Sequence, residues 1–234
     1  GHVTLAEACA QSCNVAFAAL SERLTPEQIA DTARRLGLGQ TVGWQGDIGG
    51  EQFRQLDGEE PGQIFTGPLS AVDGGVMAQT AIGQRDVRIT PLQAANMVLT
   101  VLNRGQAVRP RAVSAVNYRN GIALRRFAPQ TLIDRSEGIS AATAATLQRW
   151  MRSAVTSGTG WRLNGSVWPL AGKTGTAQVP LPGGEGENEW FVGYGPADHP
   201  RYAAAVMIRK PREDAEHTAG IGFGEIMDML QAAS

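Results

Sequence analysis

Few side chains in this sequence have the chemistry of a reactive site, and they fall in two short stretches. One is Leu170-Ala171-Gly172-Lys173-Thr174-Gly175-Thr176-Ala177-Gln178. Lys173 is one of only two lysines, with Lys210. Small residues flank it, and hydroxyls follow at Thr174 and Thr176. Residues 170–179 read as a short strand ended by Pro180. Side chains alternate faces along a strand, so Lys173 points one way and the two threonines the other. Gly175 leaves the backbone bare for close approach. A cation, two hydroxyls and an open strand edge suit a peptide that ends in a carboxylate. An edge strand running into a turn accounts for the same residues without a ligand. The other stretch is Ser12-Cys13-Asn14, whose residue types equally suit a turn between helices.

Several chemistries are excluded. Gly172-Lys173-Thr174 ends like a phosphate-binding loop, but that motif needs a glycine at position 167, which is Val167. Gly220-Ile221-Gly222 is followed by Gly224 and lacks the spacing of a dinucleotide fingerprint. Cys9 and Cys13 with His2, His199 and His217 make no zinc constellation. The histidines lie near chain ends and loops, which argues against a Ser-His-Asp or Cys-His enzyme and makes lysine the candidate base. Asp47, Glu51, Asp57, Glu59 and Glu60 read as a solvated surface rather than paired glycosidase carboxylates. A formal net charge of -1 gives no reason to expect a nucleic-acid partner. No stretch is long and apolar enough for a membrane span, and no signal peptide is visible. The chain starts at Gly1 and runs at once into helix-like sequence, which reads as a piece of a longer protein.

The 234 residues fit one large domain or two small ones. Residues 4–10 look helical, Ser12-Cys13-Asn14 interrupts, and an apolar run covers 15–24. Thr25-Pro26-Glu27-Gln28 starts a helix by a capping box with proline at its first position, and Gly37 ends it. Ile29, Ala33 and Leu36 mark its inner face. Residues 39–70 are rich in turn residues and read as loop. Thr90-Pro91-Leu92-Gln93 repeats the capping logic for a helix to about Asn103, lined by Ala94, Ala95, Val98 and Leu102. Residues 109–118 and 122–127 read as a hairpin about Asn120-Gly121. Ser140 caps a helix to about Ser157, broken by Gly158-Thr159-Gly160. Residues 182–188 read as a loop. Residues 190–194 and 202–208 join the Lys173 strand in an antiparallel three-stranded meander, and residues 221–232 form a closing helix. This order predicts an α+β domain, an antiparallel sheet flanked by helices with a mostly helical part over 1–160 and the sheet over 168–234.

Ser12-x-Asn14 and Lys173-Thr174-Gly175 belong to one motif set, that of penicillin-binding proteins and class A β-lactamases. Ser-Cys-Asn-Val-Ala-Phe, Ile82-Gly83-Gln84 ahead of Thr90-Pro91-Leu92-Gln93, Lys-Thr-Gly-Thr-Ala-Gln and Trp190-Phe191-Val192-Gly193-Tyr194 come in the order and spacing of that group. The chain resembles the transpeptidase domain of a class B-like penicillin-binding protein, over nearly its whole length; the alternatives are a β-lactamase or D,D-carboxypeptidase of the same fold, or a non-catalytic scaffold or sensor that binds wall precursors. One part departs. The positions three before the two lysines are Leu170 and Met207, so no Ser-x-x-Lys is present. In the family that motif precedes the serine-x-asparagine motif. The resemblance therefore implies that the first strands and the nucleophile helix are missing here, and that this chain alone does not acylate.

The resemblance implies further roles. Ser12 relays a proton between the catalytic lysine and the leaving nitrogen. Asn14 holds the substrate amide and that lysine. Lys173 supplies positive charge, Thr174 and Thr176 bind the terminal carboxylate, and the Thr176 N–H forms half of an oxyanion hole. Gly175 lets the substrate lie along the strand edge. Trp190, Gln84 and Gly158-Thr159-Gly160 read as mainly structural, and Trp161 as a half-buried aromatic, with a place in the cleft lining as the alternative. The implied partners are peptidoglycan stem peptides ending in D-Ala-D-Ala, β-lactams and other cell-wall synthesis proteins. No cofactor is implied. The implied setting is the outer face of a bacterial cell membrane, with an anchor outside this chain. Also implied is a bare edge on the strand at 202–208, whose partner precedes the serine motif.

Overall fold

The computed structural model describes residues 1–182, 184–211 and 218–233. Capping chemistry sets the helix starts. Thr4 caps α1 (Leu5–Ala10) in a reciprocal box with Glu7. α2 (Asn14–Ser21) follows after a three-residue break. Thr25 and Gln28 form the expected box on α3 (Pro26–Arg35), of whose predicted inner face only Ala33 is fully buried. Then comes a hairpin, β1 (Gln45–Ile48) and β2 (Glu51–Arg54), turned at Gly49-Gly50. This corrects the loop reading of 39–70. These strands are polar and β2 is exposed throughout, so they carry no alternating apolar pattern.

Asp73 caps α4 (Gly74–Ala81). Thr90 caps α5 (Pro91–Leu102), again with a full box, now to Gln93. Of the four residues expected to line α5, Ala94 and Val98 are fully buried. The predicted hairpin about Asn120-Gly121 forms, but it is shorter, between β4 (Ala115–Asn117) and β5 (Ala123–Arg126). Residues 107–109 form a separate β3 (Ala107–Arg109) that pairs with β6 (Gln130–Ile133). Pro110 has no N–H to give to a ladder and separates β3 from the hairpin. The part expected to be mostly helical thus holds three two-stranded sheets. Ser140 caps α6 (Ala141–Thr156).

The sheet that positions the site is an antiparallel meander of β7 (Ala171–Leu181), β8 (Gly184–Gly195) and β9 (Tyr202–Pro211), in that order. It is longer than predicted. Residues expected to be loop extend the β7–β8 pairing to Leu181 and Gly184, apart from Gly183, which lies outside the described residues. Pro180 does not end β7, because β7 is an edge strand and tolerates a missing donor. Among the described residues β9 pairs only with β8, so its other edge has no strand partner. Thr218 caps α7 (Ala219–Ala232).

Helices cover both sheet faces. Phe191, with Val206 opposite it on β9, packs on Phe223 and Met227 of α7, with Leu163 and Leu170 completing that core. Ala171 and Tyr194, which pair directly, pack on Val98 of α5, with Met151 of α6 alongside. The register puts Lys173, Val192, Gly175 and Trp190 on this second face, beyond the apolar cluster.

Candidate active site

Ser12 sits in the break between α1 and α2 with a left-handed φ of 54°. For a residue with a Cβ that costs about 1–2 kcal/mol. The turn is held by the Cys13 N–H, which donates to the Ala8 carbonyl at 2.9 Å. It is also fastened to the end of α6. The Thr159 N–H donates to the Ala10 carbonyl at 3.0 Å, and Gln11 Nε2 donates to the Ser157 carbonyl at 2.8 Å. A Cβ on Gly158 would lie 2.1 Å from the Ala10 oxygen, so only glycine allows this approach. The Gly158-Thr159-Gly160 turn therefore fixes where Ser12 stands.

Lys173 meets it there. Its Nζ donates to Ser12 Oγ at 2.8 Å, across 161 positions of sequence. It also donates to the Thr174 carbonyl at 2.9 Å and lies 3.4 Å from Thr174 Oγ1. Burial pushes the Lys173 ammonium below its ordinary range, partly offset by the nearby Cys9. Burial pushes the Cys9 thiol up, with the lysine charge opposing. Lys173 makes no ion pair with a carboxylate among the described residues.

The two threonines differ. Thr174 Oγ1 is 2.6 Å from Thr159 Oγ1, so a hydroxyl of the α6 turn orients a hydroxyl of the strand. Thr176 is exposed, and its carbonyl accepts from Gln84 Nε2 at 3.0 Å. In an antiparallel ladder a residue directs its N–H and C=O to the same side, and residues two apart agree. The carbonyls of Thr174 and Thr176, and with them the Thr176 N–H, face the open edge of β7. A groove of about 590 Å³ runs along that edge, walled by the Ile82–Ile89 loop on one side and by Trp190 and Val192 at its base. A larger cavity, about 710 Å³, lies among α5, α6 and Tyr202 and holds none of these residues.

Thus Ser12, Lys173, Thr174, Gly175 and Thr176 come together. Asn14 stands exposed in the first turn of α2, and none of the hydrogen bonds of the cluster reaches its side chain. Trp161 is not half-buried as expected but 63% exposed, beneath the Arg162 guanidinium. Sequence reasoning gave Thr159 and Gln84 only structural roles, yet both bond directly to the motif strand. Cys9, considered in the sequence only as a zinc ligand, lies close enough to Lys173 for their charges to interact. His217 lies outside the described residues.

Residues 1–228 match the penicillin binding protein transpeptidase domain. The chain belongs to this family. Penicillin-binding protein PbpB of Mycobacterium tuberculosis is 32% identical over 222 residues, covering 90% of this chain and 30% of that protein. Stage V sporulation protein D of Bacillus subtilis is 31% identical over 215 residues, covering 91% of this chain and 31% of that protein. Among solved structures, penicillin binding protein 3 from Mycobacterium tuberculosis, complexed with ampicillin, superposes with a TM-score of 0.76 at 29% identity, over 98% of this chain and 51% of that one. The imipenem acyl-enzyme complex of penicillin-binding protein A from M. tuberculosis gives 0.77 at 26% identity, over 97% and 47%. The chain spans about a third of the length of these curated relatives. The α+β arrangement of helices on an antiparallel sheet is the transpeptidase fold of these neighbours.

Proposed function

We propose that this chain forms the substrate-binding part of a peptidoglycan D,D-transpeptidase whose nucleophilic serine lies outside it. The observation that carries this reading is the Lys173 Nζ to Ser12 Oγ bond of 2.8 Å, which joins two motifs 161 positions apart in the sequence. A lysine without a carboxylate partner among the described residues, beside hydroxyls and an open strand edge, suits a peptide carboxylate. The names of relatives, such as peptidoglycan D,D-transpeptidase PbpA of Mycolicibacterium smegmatis, point the same way.

In the proposed reaction the external serine oxygen attacks the carbonyl carbon of the penultimate D-alanine. The C–N bond breaks, and the terminal D-alanine leaves with a proton. The proton lost by the attacking serine passes to the lysine of its own motif. Ser12 hands its proton to the leaving nitrogen and takes that one in exchange, while Lys173 donates to Ser12 Oγ and leaves the Ser12 proton free to move. The amine of a neighbouring stem peptide then attacks the ester and returns a proton toward the serine. The Thr176 N–H supplies one oxyanion donor, and loss of such a donor costs about 10²–10³ in rate. Thr174 and Thr176 hold the terminal carboxylate and Asn14 the substrate amide. β-Lactams enter as imitators of the D-Ala-D-Ala end. The proposed location is the outer face of the bacterial membrane. No helix among the described residues is long and apolar enough to cross a membrane.

The absence of Ser-x-x-Lys from the sequence favours a second reading, a non-catalytic binder of wall precursors. Release of D-alanine from an acyl-D-Ala-D-Ala peptide by the full-length polypeptide separates the two. Release that Lys173→Met abolishes supports the enzyme. Binding without release by a folded protein supports the scaffold.

A further inference from the structure

Gln84 stands where an incoming peptide strand must make its own bond. The open edge of β7 offers two carbonyls within the Lys-Thr-Gly-Thr segment. The Thr174 carbonyl is taken by Lys173 Nζ at 2.9 Å, and the Thr176 carbonyl by Gln84 Nε2 at 3.0 Å. A peptide that adds to this edge as a strand pairs through backbone N–H groups, and the Thr176 carbonyl is one of their acceptors. Gln84 imitates that donor.

Its placement is built in. Gln84 follows α4 in a Schellman ending. The Gly83 N–H donates to the Thr80 carbonyl at 2.9 Å and the Gln84 N–H to the Gln79 carbonyl at 3.0 Å. Gly83 has a φ of 75°, and Arg85, on the other side, the left-handed φ of 60°. The far end of the loop is pinned where Gln63 and Arg88 exchange backbone bonds of 2.8 and 2.9 Å. Gln63 Nε2 also donates to the Asp86 carbonyl at 3.0 Å. The backbone of the loop that carries Gln84 is thus held at both ends.

We infer that Gln84 is a placeholder: its amide, bonded to the Thr176 carbonyl at 3.0 Å, is displaced when a peptide backbone N–H takes that position. This rests on the reading of β7 as the peptide-binding edge. Binding is then an exchange of one hydrogen bond for another, and ligands lacking an N–H at that point are disfavoured because they leave the carbonyl bare.

The test is an NMR titration of the full-length polypeptide with an acyl-D-Ala-D-Ala peptide, on wild type, Gln84→Ala, Gln84→Leu and Lys173→Met, each checked for native melting. The expected result is release of the Gln84 side-chain amide signals on binding, with a Kd about 3- to 10-fold lower in both Gln84 variants, the worth of one net hydrogen bond. Unchanged or weaker binding in both folded variants overturns the placeholder while leaving the groove reading intact, provided Lys173→Met weakens binding. If Lys173→Met binds like wild type, or no protein binds, the groove reading falls and the placeholder falls with it.

Discussion

The two lysines of the chain sit in opposite electrostatic settings. Lys210, on β9, is 5% exposed and lies 2.7 Å from Glu189 and 3.6 Å from Glu187, both on β8. Glu189 in turn accepts from the Ala219 N–H at the start of α7. There the charge is balanced within the fold. Lys173, on β7, is only partly shielded from water, and its bonded partners are the neutral oxygens of Ser12 and Thr174. Taking an ammonium out of water without an anion costs stability, so even partial burial of Lys173 works against the fold. The comparison separates a lysine that ties a sheet together from one that meets no carboxylate among the described residues.

Breaking each side of the comparison has a distinct signature. Lys210→Met leaves two partly buried carboxylates without their cation. It is expected to lower unfolding stability by about 3 kcal/mol, the low end for such a pair because Glu187 and Glu189 keep 17% and 19% exposure. Denaturant unfolding reads this. Lys173→Met is expected to do the reverse: near-native stability, with affinity for the acyl-D-Ala-D-Ala peptide lower by roughly 10- to 100-fold, the worth of a bond to a charged group. Isothermal titration reads that.

Thr159→Val removes the hydroxyl that orients Thr174. A loss of about 1 kcal/mol in peptide binding is expected, with rescue by Thr159→Ser and no change in the Ser12 to Lys173 contact. The smallest effect is in pH. Burial depresses the folded-state affinity of Lys173 for its proton below the ordinary 10.5, so the unfolded chain binds more protons between the folded value and 10.5. The cost of burying the charge is fully present at low pH and is relieved as pH rises through that window. Urea midpoints should therefore rise with pH more for wild type than for Lys173→Met. A parallel pair of curves would place Lys173 in water.

The helix ends were legible in the sequence because capping is local. Thr25 with Gln28, Thr90 with Gln93, and Ser140 each specify a start within four residues. The core meander was legible from its turns and its apolar strands. The hairpin at 45–54 was not, since its strands expose polar residues to water. The extent of β7 past Pro180 was not, since edge position is a property of the whole sheet. The site was half legible. Ser12 and Lys173 stand out by residue type and by resemblance, whereas Thr159 and Gln84 act through a hydroxyl and an amide that any loop might carry. Their roles depend on which carbonyls and hydroxyls the fold brings within 3 Å of them.

The most direct test of the proposed function is intact mass after incubation with benzylpenicillin, on two polypeptides: this 234-residue chain and one extended upstream to the length of its relatives. The expected result is a single lasting adduct of one drug mass on the extended polypeptide and none on the shorter chain. An adduct on the shorter chain would place a nucleophile inside it, and no adduct on a folded extended polypeptide would contradict an acyl-enzyme.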